Sequence, residues 1–185
     1  SHRGMAISRR SFLLAAAAVA LVAGCGPSSG QIRQARETRY QGTRAEVFLG
    51  YLDYFRSRLV SKLEALPAGE LRNSRLPSGW TPIELLNHLA HVELRWLEWG
   101  FEGRDVPEPW ADSRDGRWYV APGETLEQLV EGLRAQAART RAVVESHDLA
   151  DIGRPGERWD GADPASLERI LFHLVQEYAR HVGHL

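Results

Sequence analysis

GWTPIELLNHLAHVELRWLEWGFEG, residues 79–103, is the stretch from which the fold follows. Thr81 is a good N-cap, Pro82 suits the first helical position, and Glu84 three residues on completes a capping box. Gly100 and Gly103 punctuate the end. A helix is therefore expected between these signals, with His88 and His91 three apart on it and Glu93 nearby.

The flanking sequence reads the same way. Upstream, Val47, Phe48, Tyr51, Leu52, Phe55, Leu59, Val60 and Leu63 recur at helical spacing, which predicts a helix over about 44–66. Pro67-Ala68-Gly69 ends it. Downstream, residues 104–122 are rich in Pro, Asp and Trp and are expected to be irregular. A loop of that length often serves a site. A third helix over about 125–146 takes Leu126, Leu129, Val130, Leu133, Ala137, Val143 and Val144 as its apolar face. After the polar stretch DLADIGRPGERWDGADP (148–164), Asp163 is expected to cap the last helix, with Pro164 at its first position. Leu167, Ile170, Leu171, Leu174, Val175 and Tyr178 form its buried stripe. No strand-like alternation of any length appears. The expected fold is all-α, a four-helix bundle with a long crossover connection between helices 2 and 3.

Composition agrees. The chain has 185 residues, 43% apolar and 25% charged, with a net charge of -1. That is the profile of a globular protein, and it excludes broad electrostatic attraction to nucleic acid. No basic run supports a nucleic-acid face.

The N-terminal region reads differently. Ser1–Gly4 ahead of Met5 look like a cloning remnant. From Met5 the chain runs MAISRRSFLLAAAAVALVAGCGPSSG, with Arg9 and Arg10 before an apolar stretch from Phe12 to Ala23. Twelve apolar residues are too few to span a bilayer comfortably but suit a signal segment. SRRSFLL resembles a twin-arginine export motif and LVAGC resembles a lipobox. Cys25 is the single cysteine, so no disulfide forms within the chain. Residues 1–30 are accordingly read as remnant, signal and tether, and residues 31–185 as the bundle. If the signal is used, the protein is exported and membrane-anchored through a lipid on Cys25; otherwise it is cytoplasmic.

The chemistry sits in the last helix. His173, Glu177 and His181 are four apart, so they share one side. Two facing helices of a bundle can hold a metal between inward-pointing side chains. One histidine of the second helix with Glu177 and His181 would give three ligands and an open position, the pattern of catalytic zinc sites. Spacing alone equally describes the polar edge of an ordinary helix.

Residues 79–103 together with LERILFHLVQEYARHVGH (167–184) resemble the DinB-like superfamily. The likeness is to an actinobacterial branch related to mycothiol-dependent maleylpyruvate isomerase. ETRYQGTRAEVFLGYLDYFRSRLVSKLEAL (37–66) and VPEPW (106–110) fit the same branch. The resemblance implies a divalent metal held by His88, Glu177 and His181. It leaves His173 as a supporting or pocket residue, with His91, Glu93 and Trp99 also around the site. Trp96, Trp110 and Trp118 are further candidates for the pocket mouth, although core packing explains Trp96 as well. Zinc is the expected ion; nickel, iron and manganese suit the same ligands. The implied activity is a thiol-dependent S-transferase or isomerase acting on a small molecule, with a low-molecular-weight thiol as co-substrate. A noncatalytic metal-binding lipoprotein is the alternative. Two features depart from the family pattern: the export signal, and an ending at Leu185 where relatives continue by another turn. Related bundles often pair as homodimers, but the sequence does not fix oligomeric state.

Overall fold

A computed structural model describes residues 42–185. The signal segment, the tether and Cys25 lie outside the described residues. Four helices carry the fold: α1 (Arg44–Glu64), α2 (Pro82–Leu94), α3 (Leu126–Ser146) and α4 (Leu167–Val182). Among the described residues, no helix is long and apolar enough to cross a membrane.

The first three helices begin where their capping chemistry places them. Thr43, Thr81 and Thr125 each accept from the backbone three residues on, while Glu46, Glu84 and Gln128 reach back to the cap N–H. Two of the four orphan donors at each start are thereby satisfied. On α1 the buried residues are Leu49, Leu52, Arg56, Leu59 and Leu63, a repeat of three and four that holds one face inward. α2 does not stop at Leu94. It passes directly into a π-helical stretch, Arg95–Phe101, whose end is marked by the Glu102 N–H bonding to Leu97 O. The wider winding re-aims the side chains of this segment, and such stretches recur at functional sites.

Two expectations need correction. α4 starts at Leu167 with Ser166 as its cap, not at Pro164 with Asp163. The reason is the chain that runs beside it: Leu167 N donates to Asp151 O and Glu168 N to Leu149 O, and Gly153 N donates to Ala165 O. Ile152 and Ser166 form a β-bridge, so the residues before Ser166 are held extended. The 104–122 connection is also not wholly irregular. It holds an antiparallel hairpin, β1 (Ser113–Arg114) and β2 (Arg117–Trp118), closed by Asp115-Gly116 with both residues at positive φ. Asp-Gly is the usual sequence for such a two-residue turn.

The helix directions follow from their contacts. Arg44 meets Glu168 at the starts of α1 and α4, and Lys62 meets Val182 O at their ends, so these two run parallel. Asn87 and Gln128 line one groove between α2 and α3, while further along Glu98 bonds Arg139, so that pair is parallel too. A parallel α2–α3 pair requires the connection between them to return along the bundle, which is the expected crossover.

Each helix sends one polar residue to the centre. Glu93 of α2 is fully buried, held by Arg56 of α1 through Nε at 2.8 Å and Nη2 at 2.6 Å. The Thr140 hydroxyl of α3 donates to it at 2.5 Å, and Tyr178 of α4 donates to its other oxygen. Around this cluster lies a leucine-rich core that includes Leu52, Leu59, Leu86, Leu89, Leu133, Leu171 and Leu174.

Candidate metal centre

His88 on α2 and Glu177 and His181 on α4 come together in the structure. One ligand atom from each lies within 4.8 Å of the others. Glu177 Oε2 and His181 Nε2 stand 3.2 Å apart. Donors around a tetrahedral zinc with ~2.0–2.1 Å bonds stand roughly 3.3 Å apart. One pair already has that separation, and the donor of His88 lies within 4.8 Å of both.

The chemistry of each donor suits a cation. His88 Nδ1 lies 3.0 Å from Asp112 Oδ2, which leaves Nε2 available. A carboxylate behind an imidazole fixes the tautomer with its proton on Nδ1 and raises the basicity of the other nitrogen. Burial pushes His88 below the ordinary imidazole value, against the opposing pull of Asp112, so the ring is neutral near pH 7. Burial works against ionisation of Asp112, but hydrogen bonds from His88 and Arg95 outweigh it and hold its carboxyl below the usual range. The hydrogen bond with His181 likewise keeps Glu177 low and ionised. His181 is 5% exposed, and its Nδ1 is enclosed without a hydrogen-bond partner. The atom of His181 beside Glu177 is Nε2, so the unsatisfied Nδ1 lies on the far edge of the ring from the carboxylate. Two imidazole nitrogens and a carboxylate, converging from different helices, therefore fit a divalent metal.

Tryptophans enclose the triad. Trp118 of the hairpin stacks on His88 with centroids 3.4 Å apart. Trp80, immediately before the α2 cap, lies edge-on to His181 at 5.1 Å and against Trp118 at 4.5 Å. Trp80 also divides two open depressions. One, of about 580 Å³, is lined by Leu66, Leu76, Pro82 and His184; the other, of about 960 Å³, by Arg114, Arg117 and Tyr119.

The remaining sequence candidates are dispersed. His173 sits beside the triad, with Nε2 3.9 Å from Glu177 Oε1 and its ring 4.5 Å from Trp96. Burial, the leading cause, lowers its pKa as well. Glu93 is a correction: it belongs to the central cluster and bonds Arg56, Thr140 and Tyr178 rather than the triad. His91 bonds its own helix at Asn87 O and faces the groove between α2 and α3. Trp99 packs edge-on to Trp110, which in turn lies beneath the Arg95 guanidinium. Arg95 is buried and clamps Asp112 at 2.6 and 3.1 Å.

Asp112 and Trp80 were not singled out from the sequence. The signal for Asp112 was indirect: an acidic residue in a loop already suspected of serving a site. Nothing in the letters said which carboxylate of that loop would reach His88.

A family model described as mycothiol-S-transferase matches residues 47–185. No curated protein and no solved structure matches the chain.

Proposed function

Since the chain belongs to the mycothiol-S-transferase family, within the DinB-like superfamily, we propose that it is a divalent-metal-dependent S-transferase. It uses a low-molecular-weight thiol, with His88, Glu177 and His181 as the metal ligands. The observation that carries this reading is the convergence of those three side chains from two helices onto one point. Zinc is the ion we favour, because two imidazoles and one carboxylate are a common catalytic set for it. When bound, such an ion lowers the pKa of a thiol, so that thiolate is the reactive form at neutral pH.

The protein's own residues divide the remaining work. Asp112 keeps the proton of His88 on Nδ1 and so presents Nε2 to the ion. Arg95 fixes Asp112 from behind. Trp118 and Trp80 cover His88 and His181 and limit access of water to them. His173 is kept neutral by burial and lies next to Glu177, where its free nitrogen can take up the thiol proton.

The test is direct. The full chain is reconstituted with zinc or nickel, its metal content is measured by mass spectrometry, and consumption of mycothiol is followed with a panel of electrophiles. One equivalent of metal and metal-dependent loss of thiol are expected. A folded protein that takes up no metal would sink the proposal.

A further inference from the structure

Among the described residues, Arg158 is a half-buried cation near the triad with no acidic partner. Arg158 lies on the short 3-10 turn Glu157–Trp159, which docks against the π-helical end of α2. The docking is close. A Cβ on Gly100 would stand 3.2 Å from Arg158 Cγ and 3.4 Å from the Trp159 ring. Trp159 Nε1 donates to Gly100 O at 3.2 Å and to Arg154 O at 2.9 Å. The Arg158 guanidinium is thereby set 4.0 Å over the Trp96 ring, and Trp96 is the ring that also packs against His173.

Other well-placed arginines are satisfied by acids. Arg56 grips Glu93, Arg75 grips Glu70, Arg95 grips Asp112 and Arg139 bonds Glu98. Among the described residues, Arg158 makes no ion pair and no hydrogen bond. Its Nε is enclosed without an acceptor, while its terminal nitrogens reach solvent. Burial, and secondarily the charge of Arg95, work against its cation. Holding an unpaired guanidinium half-buried is unfavourable. Proteins break such local rules chiefly at functional sites.

We propose that Arg158 binds a carboxylate of the substrate that accepts the thiol, through its terminal nitrogens beside Trp96, so that the substrate's other end extends toward His173 and Glu177. The acceptor role rests on the S-transferase reading; the carboxylate site does not. The fork of the guanidinium matches a planar two-oxygen group, and a monoanionic carboxylate rather than a dianionic phosphate balances the single charge of Arg158. Arg95, the neighbouring cation, is already committed to Asp112. The Trp96 ring, 4.0 Å beneath the Arg158 guanidinium, and the Trp159 ring at 6.0 Å favour a flat organic acid.

The experiment is calorimetric titration of the zinc-loaded full chain with benzoate, and with benzamide as a neutral control of the same shape. Saturable benzoate binding is expected, with benzamide weaker by at least about tenfold. Arg158→Gln should abolish that preference. Arg158→Lys, which keeps the charge but loses the fork, should fall between, and it serves as the variant of record if Arg158→Gln does not fold. Protein stripped of metal should keep the preference. Absent benzoate binding, equal binding of benzamide, an unchanged Arg158→Gln, or inorganic phosphate competing as well as benzoate would each overturn the proposal. Metal content and mycothiol binding are read on the same samples. Their absence beside intact benzoate selectivity would remove the S-transferase reading and leave the carboxylate site standing. The reverse pattern would remove the carboxylate site alone.

Discussion

His88 Nδ1 stands 3.0 Å from Asp112 Oδ2, and Arg95 holds the same carboxylate from its other side at 2.6 Å. The three residues come from α2, from the crossover loop and from the π-helical stretch. The loop thus buttresses the histidine that α2 supplies. Asp112→Asn keeps the shape but loses the charge, so the tautomer and basicity of His88 are no longer enforced. Metal affinity should fall by about 10–100-fold. Competition with a chromophoric chelator measures it on the folded fraction, since Arg95 also loses its buried partner. An unchanged affinity would mean that Asp112 serves only packing.

The three histidines of the last nineteen residues should prove unequal. His181→Ala, like His88→Ala and Glu177→Ala, should abolish stoichiometric metal, because each removes one of the three converging donors. His173→Ala and His184→Ala should retain it. His184 is exposed and lies edge-on to Trp80 rather than among the donors. Metal analysis of the five purified variants decides this. Retention of metal by His181→Ala would displace the proposed ligand set.

Where the letters failed has a physical pattern. Helix starts were legible because a Thr cap with Glu or Gln three residues on is a local signal, read within one turn. The start of α4 was misread because Asp163-Pro164 is also a valid local signal. It loses to backbone bonds from Asp151 and Leu149, which are non-local. Two-residue strands are too short to alternate, so only the Asp115-Gly116 turn marks the hairpin in the sequence. At the site, the spacing of His173, Glu177 and His181 showed a shared side but not what faced it. Glu93 is expected around the site because it lies near His88 and His91 on the same helix. Its helical angle instead points it at Arg56 and Tyr178.

Acid should destabilise the metal-free protein in two stages. Burial holds His88 and His173 below the ordinary 6.5, so the unfolded chain binds these protons at a higher pH than the folded one. Stability is then full above about 6.5 and falls as pH drops through that value toward the folded pKa values. Glu177 and Asp112, held below 4.5 and 3.8, contribute stability that is lost at still lower pH. Urea midpoints measured across this range should decline from about pH 6.5 downward. His173→Ala should flatten the first stage, whatever it does to the midpoint at neutral pH. A midpoint that rises on mild acidification would contradict the burial argument.

The central cluster gives a prediction about order as well as size. Arg56→Ala leaves Glu93 fully buried and charged, with only the Thr140 and Tyr178 hydroxyls for company. Breaking a buried pair this way costs about 3–5 kcal/mol. Glu93→Ala should cost less. Arg56 still has Asp53, whose Oδ1 accepts from Nη1 at 2.8 Å, and Asp53 is half-exposed, so the freed guanidinium keeps a counter-charge close to solvent. Replacing both partners by apolar residues of similar volume should recover most of the loss, because the desolvation cost of the two charges then disappears. Urea unfolding of the two single variants and the apolar double variant measures all three. If Glu93→Ala proves the more damaging single change, the asymmetry drawn from Asp53 is wrong.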